Sequence, residues 1–156
     1  MGASKTVGIV SDTHGLWRPE IVPVLAGVER ILHAGDVGRR EILFRLAEIA
    51  PLDAIRGNVD TDDDVAALPE TFTETIHGRC VHMVHAIADL GADPRAAGWK
   101  VVIHGHSHKP GIVERDGVIF LNPGAAGPRR FRLPVTVALL TFGAGRPSAE
   151  IVPLPI

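Results

Sequence analysis

Three short apolar segments in the first 60 residues, separated by stretches of helical character, constrain the fold more than any other feature. These segments are 5–11, 30–34 and 51–56. Each has the length and aliphatic content of a buried strand. A helix is predicted from Pro19 towards Gly27, and residues 39–50 carry apolar side chains at helical spacing. The order strand, helix, strand, helix, strand predicts parallel strands joined by right-handed crossovers.

The second half of the chain has a different pattern, in which tight turns separate strand-like segments. Hairpin turns are predicted at His77-Gly78, between 71–76 and 79–85, and at Asp116-Gly117, between 111–115 and 118–121. The remaining predicted elements are strands at 100–104, 134–142 and 148–153, a short helix near 94–98, and a solvated connection at 61–70. Helical crossovers followed by hairpins predict two sheets packed face to face with helices outside.

Composition limits the class of protein. A chain of 156 residues with a formal net charge of -2 is expected to form a single domain, 1–156, with an ordinary soluble balance of residues. Such a charge gives no electrostatic footprint for nucleic acid or an anionic membrane. The single cysteine, Cys80, favours a reducing compartment, and no signal peptide or membrane span is apparent. A cytoplasmic location is therefore expected.

Polar residues of three types lie at junctions directly after the apolar runs. They are Asp12, His14, Asp36, Asn58, His85, His106 and His108. Oxygen and imidazole donors without thiolates suit a pair of divalent metal ions, which can activate water against a phosphate ester. An extended backbone would direct both side chains of 12 and 14, and likewise of 106 and 108, the same way. Gly35, Gly57 and Gly105 precede ligands where a tight turn or close approach is expected.

Each motif has a plainer interpretation when taken alone. SDTH and HAGD contain good helix caps, and GNVD is a common turn sequence. GHSH is more specific, because paired histidines at a strand end have little structural purpose. His82 is a rival to His85, but it lies in the middle of a predicted strand. The complete set in this order favours the metal site.

Several further polar residues lie beside these motifs. His33 and His104 would line the site or orient a ligand, with a satisfied histidine at a sheet end as the equal alternative. Asp60 would hydrogen-bond a ligand histidine or cap a turn. Arg129 belongs to a basic cluster with Arg130 and Arg132, one of which would meet a substrate phosphate unless all three are simply solvated.

The motif series Asp-x-His, Gly-Asp, Gly-Asn-x-Asp, His, Gly-His-x-His resembles that of the calcineurin-like metallophosphoesterases, from Val7 to about Arg130. The segments HAGD, RGNVD and LNPGAAGPR resemble the small YfcE-type phosphodiesterase branch, and Asn122 matches its Asn-Pro-Gly loop. The resemblance implies an α/β fold, a four-layer αββα sandwich of two mixed β-sheets flanked by helices. It also implies a dinuclear-metal-dependent phosphoesterase, in the first place a phosphodiesterase, acting by in-line attack of a metal-bridging hydroxide.

The resemblance further implies a division of ligands between two metals. The first would take Asp12, His14 and His108, the second Asn58, His85 and His106, and both would share Asp36. Asp36, Asn58 and His85 are the expected catalytic residues. Manganese is the first expectation, with nickel, zinc, iron(II) and magnesium as the other candidates. Activity is expected to fall on acidification, because ligand histidines must be neutral.

Two positions depart from the family pattern. Val59 stands where many members have a histidine that protonates the leaving oxygen, and Ala86 stands where glycine is usual. Turnover should therefore favour aryl over alkyl esters.

The expected partner is a small phosphoester, and a homodimer or homotetramer is expected from the branch. The alternative function is a non-catalytic metal-binding scaffold similar to the retromer subunit of this fold.

Overall fold

A computed structural model describes residues 5–156, apart from the side chain of Asp63, and places the strands in two mixed five-stranded sheets. The first sheet contains, in spatial order, β10 (Ser148–Pro153), β9 (Thr136–Thr141), β1 (Thr6–Val10), β2 (Arg30–His33) and β3 (Leu52–Ala54). Strands β1, β2 and β3 are parallel, as the sequence predicts, whereas β9 pairs antiparallel with both of its neighbours, β1 and β10.

The second sheet combines a parallel centre with two hairpins. Its spatial order is β4 (Thr71–Ile76), β5 (Arg79–Val84), β6 (Val101–Ile103), β8 (Val118–Asn122) and β7 (Gly111–Arg115). Both predicted hairpins form, and each has positive φ at its two central residues, His77-Gly78 and Asp116-Gly117. Two positive φ angles match the twist of the flanking strands, which explains these turn sequences.

The main core lies between the two sheets, as expected for a face-to-face sandwich. Its fully buried members include Val7, Ile9, Leu32 and Leu140 from the first sheet and Val81, Met83, Ile103 and Leu121 from the second. Alternate residues of each strand supply this layer, because side chains along a strand point to opposite faces. The predicted α/β sandwich of two mixed sheets is confirmed.

Helices pack on the other face of the first sheet. They are α1 (Ile21–Val24), α2 (Arg40–Ala47) and α3 (Asp63–Ala66). A second core between these helices and the sheet contains Ile21, Ile42, Leu46 and Val65. This layer holds the crossovers against the sheet, so that the loops after β1, β2 and β3 are fixed at one edge.

Two sequence predictions about this layer are wrong. The helix predicted from Pro19 to Gly27 is one α-helical turn, because Ile21 and Val22 donate to carbonyls three residues back and Gly27 adopts a φ of +85°. Residues 61–70 are not merely a solvated connection. They contain α3, which is held by the burial of Val65.

The outer face of the second sheet has a thinner cover. The four-residue helix α4 (Pro94–Ala97) precedes Trp99, whose ring stacks on His82 at 3.7 Å between centroids. Because Val81 and Met83 point into the main core, His82 points to the opposite, outer face. Within residues 5–156, no helix is long and apolar enough to cross a membrane.

Candidate metal centre

The seven candidate ligands come together at one edge of the sandwich, where strands of both sheets end. Backbone hydrogen bonds join their loops: Asp12 N–H donates to Gly35 O at 3.0 Å and His14 N–H to Asp36 O at 2.9 Å. Gly105 N–H donates to His85 O at 2.9 Å, which joins the two loops of the second sheet. The loops therefore position one another by main-chain contacts as well as by their strands.

The backbone at these residues is not extended, contrary to the sequence prediction for the 12/14 and 106/108 pairs. Five candidate ligands adopt positive φ, namely Asp12 (55°), His14 (47°), Asp36 (56°), His106 (72°) and His108 (64°). Non-glycine residues rarely adopt this conformation, and where they do the surrounding structure must hold them there. The side chains converge because the chain turns sharply at each ligand.

Close packing of the loops explains two of the glycines. A Cβ on Gly57 would lie 2.2 Å from Asp36 Oδ1, and a Cβ on Gly105 would lie 2.1 Å from Ser11 Oγ. Neither position has room for a side chain. The expectation of a close approach at these glycines is confirmed.

The ligand atoms form two neighbouring clusters. One contains Asp12, His14 and His108, and the other contains Asp36, His85 and His106, with the ligand atoms of each cluster within 4.8 Å of one another. Oδ2 of Asp36 lies 3.1 Å from His85 Nε2 and 3.5 Å from His14 Nε2, so this carboxylate faces both clusters. Each group falls within one of the two ligand sets that the resemblance implies, although Asn58 belongs to neither group.

A buried polar atom without a partner shows that the clusters suit cations. Among residues 5–156, the buried atom Asp12 Oδ1 has no hydrogen-bond partner, and the one polar contact of His85 Nε2 within 3.5 Å is the Asp36 carboxylate at 3.1 Å. Asp12 Oδ1 instead faces Nε2 of His14, His85 and His108 at 3.6–3.8 Å. His85 Nδ1 donates to Ala34 O at 2.8 Å, which leaves Nε2 as the ligating atom. Carboxylate oxygens and imidazole nitrogens in this arrangement fit divalent metal ions.

Charges in the cluster couple Asp36 to His85. Burial alone would raise the pKa of Asp36, but the adjacent His85, the N–H of Val59 and the charge of His14 lower it to about 2. Burial would lower the pKa of His85, but Asp36, the Ala34 carbonyl and the charge of Asp12 raise it above its ordinary value. Without metal, the two clusters thus make His85 easier to protonate and Asp36 easier to ionise, so protons compete with a cation for His85.

Asn58 occupies the solvent side of the second cluster. It is exposed and lines a cavity of about 540 Å³ together with His85 and His106. The next residue, Val59, donates its N–H to Asp36 Oδ1 at 3.0 Å, and its side chain is 43% exposed. The GNVD loop is therefore tied to the carboxylate that faces both clusters.

His33 holds two of the ligand loops from behind. Gly35 N–H donates to Nδ1 of His33 at 3.1 Å, so that nitrogen carries no proton. Nε2–H then donates to Thr13 Oγ1 at 3.0 Å, and the Thr13 hydroxyl donates to Val37 O at 2.9 Å. This chain fixes the tautomer of a fully buried imidazole and joins the SDTH loop to the HAGD loop.

We expect His33 to make the metal-free protein sensitive to acid. Burial lowers its pKa from 6.5 to about 4, against the opposing charges of Asp12 and Asp60. Between pH 6.5 and pH 4, His33 therefore binds a proton in the unfolded chain but stays neutral in the folded chain. The contribution of His33 to the free energy of unfolding is fully present above pH 6.5 and is lost as the pH falls towards 4 and below. This contribution amounts to about 3 kcal/mol at most.

The measurement is chemical denaturation of the chelator-treated protein between pH 7.5 and pH 4, compared with His33→Asn, whose side-chain oxygen can accept from Gly35. The variant should lose stability less steeply over this window. Thr13→Val is the control, because it breaks the same chain but keeps the imidazole. It should lower stability by about 1–3 kcal/mol at every pH without changing the slope. Equal slopes in wild type and His33→Asn would contradict the assignment.

Two other residues that the sequence singled out hold loops rather than face the clusters. Asp60 is buried and accepts N–H groups of Val37, Gly38 and Gly57 at 2.8–3.1 Å. It thus has the turn-capping role, not a hydrogen bond to a ligand histidine. Asn122 donates to Gly105 O and Ser107 Oγ and so secures the GHSH loop.

The remaining candidates lie less close. Alternation along β6 places His104 on the outer face of its sheet with Val102, and its hydrogen-bond partner is the backbone of Gly105. Arg129 is exposed. Within the basic cluster, Arg130 is the residue whose charge lowers the pKa of His108, although burial and the charge of Asp12 have larger effects on that pKa. His82 lies outside the site, on Trp99.

Sequence reasoning missed two hydroxyl groups in SDTH. Ser11 Oγ donates to Asp12 Oδ2 at 2.9 Å, and His106 N–H donates to the same oxygen at 3.1 Å. These bonds orient the carboxylate so that Oδ1 faces the imidazoles. The signal was present, since Ser11 and Thr13 flank Asp12, but hydroxyls beside an Asp are equally typical of a helix cap.

The sandwich and its Asp and His clusters together indicate the class of protein. It is an α/β protein with candidate ligands for divalent metal ions at the ends of its strands. The chain belongs to the calcineurin-like phosphoesterase superfamily, whose domain matches residues 6–145. It is 30% identical over 158 residues to a protein named "Probable metallophosphoesterase" from Methanothermobacter thermautotrophicus, with 94% of this chain and 91% of the relative covered.

Solved structures with low sequence identity share the fold. One is described as a novel archaeal phosphodiesterase, with a TM-score of 0.77, 22% identity, and 94% of this chain and 99% of that chain covered. Another is Vps29 of Entamoeba histolytica complexed with zinc, with a TM-score of 0.73, 22% identity, and 96% and 99% covered. Membership of the family that the sequence resembles is confirmed.

Proposed function

We propose that this protein is a dinuclear-metal-dependent phosphoesterase and, within that class, a phosphodiesterase. The observation that carries the proposal is the pair of Asp and His clusters faced by one carboxylate, Asp36. Asp12, His14 and His108 would hold one ion, and His85, His106 and Asn58 the other, with Asp36 shared. A shared carboxylate screens the repulsion between two cations.

Two divalent ions bound here would supply water activation and neutralise charge on the phosphoryl group. The residues of the chain fix that chemistry in place. Ser11 and the His106 N–H orient Asp12, the Ala34 carbonyl orients His85, and the Val59 N–H orients Asp36. Asn58 adds a neutral oxygen on the open side, so that an anionic ester can approach. We take manganese as the first candidate metal.

A metal-binding scaffold without activity is the second candidate function, because zinc-bound Vps29 has the same fold. The clusters favour the enzyme, since they offer six charged or imidazole ligands and Asn58 opens onto a cavity large enough for an ester. Cytoplasmic location, a single domain over 1–156 and self-association as a dimer or tetramer remain predictions.

The decisive test is metal reconstitution followed by a phosphoester panel. Chelator-treated protein is loaded with Mn²⁺, Ni²⁺, Zn²⁺ or Mg²⁺, the bound metal is counted by mass spectrometry of the native protein, and aryl and alkyl mono- and diesters are assayed. We expect two ions per chain and faster turnover of the aryl diester than of the aryl monoester. Two bound ions without turnover of any ester would support the scaffold, and a chain that binds no metal would overturn both functions.

A further inference from the structure

Part of the cavity wall is formed by charged residues outside the two metal clusters. The cavity of about 540 Å³ is lined by His85, His106 and Asn58 and also by Arg56, Glu70 and Asp89. A substrate group that occupies this cavity while its phosphate is held at the clusters would therefore meet these three charged residues.

The single cation of this wall is already neutralised. Arg56 donates one guanidinium N–H to Ala66 O at 3.0 Å and another to Glu70 Oε1 at 2.5 Å. These contacts hold the guanidinium against its own loop, so it offers little attraction to an incoming anion. Glu70 is likewise committed to Arg56.

Because Arg56 and Glu70 pair with each other, Asp89 is the charged residue of the cavity wall that remains unpaired. It ends the 3₁₀ turn Ile87–Asp89, directly after the ligand His85 and Ala86, and it is exposed. Among residues 5–156, no hydrogen bond or ion pair involves its carboxylate. The cavity wall thus carries a net charge of about -1 from Arg56, Glu70 and Asp89, concentrated on Asp89.

From this we infer that Asp89 selects phosphodiesters in which one alcohol arm is cationic, such as an amino alcohol or a choline, and disfavours arms that carry a carboxylate or a second phosphate. The arm lies in the cavity, and the phosphodiester lies at the clusters. Asp89 acts on binding rather than on the bond that breaks, so its influence falls on KM and not on kcat. The inference rests on the proposed function and deepens it.

The test uses three para-nitrophenyl phosphodiesters with the same leaving group. The second alcohol is choline, its neutral isostere with carbon in place of nitrogen, or hydroxybutyrate. For the manganese-loaded protein we expect the KM of the choline ester to be about two- to five-fold below that of the isostere, and the KM of the anionic ester to be higher still. The differences should shrink in 0.5 M salt.

Asp89→Asn should remove the preference by raising the KM of the choline ester, with kcat unchanged. Asp116→Asn is the control, since it makes the same change in net charge on the β7–β8 turn at the other end of the sheet, and it should keep the preference. Equal KM values for the three esters in wild type, or a preference that survives Asp89→Asn, would overturn the inference.

A separate binding measurement distinguishes this inference from the proposed function. Phosphorylcholine and its carbon isostere are titrated into the metal-loaded protein by calorimetry. Tighter binding of phosphorylcholine that Asp89→Asn abolishes supports the inference even if no ester is turned over. Turnover without discrimination between the two ligands overturns the inference alone.

Discussion

Asp36→Asn is expected to remove at least one metal ion per chain and to lower phosphodiester turnover on the order of 10²- to 10³-fold or more. The amide keeps the shape of the side chain and its oxygen can still accept the Val59 N–H. The second atom, however, changes from a negative oxygen to an N–H donor, and it lies 3.1 Å from His85 Nε2 and 3.5 Å from His14 Nε2. A donor at this point can neither ligate nor screen two cations.

Asp116→Asn is the matched control for this substitution. Asp116 has a φ of 53° and Asp36 a φ of 56°, so the asparagine of each variant must adopt the same left-handed backbone conformation. The control should keep both metals and full turnover. Metal count, turnover and thermal melting are measured on each protein. A folded Asp36→Asn variant with two metals and turnover within tenfold of wild type would sink the shared-carboxylate assignment.

The order of the elements was predictable because the two halves of the chain use different local signals. Short aliphatic runs between helical stretches specify β1, β2 and β3, and Asp-Gly or His-Gly turns specify the hairpins. The location of the site follows directly, since parallel strands bring the loops after their carboxyl ends to one edge. What the pattern could not supply is the length of α1 or the existence of α3. One buried contact of Val65 decides the latter.

The site was predictable in its composition but not in its local geometry. Residue types and their order indicate which side chains lie together in the two clusters. The positive φ angles at Asp12, His14 and Asp36 could not be read from spacing, because they are imposed by tertiary hydrogen bonds such as His14 N–H to Asp36 O. The same holds for His33, whose role depends on Thr13, 20 residues away. Local sequence shows the imidazole but not its partners.

The leaving group is where this chain departs from the common family pattern, and the expected effect is large. Val59 follows Asn58, its N–H is fixed by Asp36, and its side chain is 43% exposed at the edge of the site. An aliphatic side chain gives no proton to a departing oxygen. Aryl oxygens leave as stable anions, whereas alkyl oxygens need a proton, and general acid help is worth about 10²–10⁴-fold. Wild type is therefore expected to hydrolyse aryl diesters at least about 10²-fold faster than alkyl diesters.

Val59→His should raise alkyl diester turnover by about tenfold or more and change aryl turnover only a few-fold. The reason is that only the alkyl leaving oxygen needs to be protonated as it departs. Its alkyl kcat should fall at high pH as the imidazole loses its proton. Val59→Gln is the matched control: it places a polar side chain of similar reach on the same fixed backbone, but its amide is not acidic enough to protonate a leaving oxygen, so it should leave the aryl-to-alkyl ratio unchanged. Steady-state rates across pH 6–9 for the three proteins decide the matter. If wild type turns over aryl and alkyl diesters equally, another group protonates the leaving oxygen, and Val59 carries no selectivity.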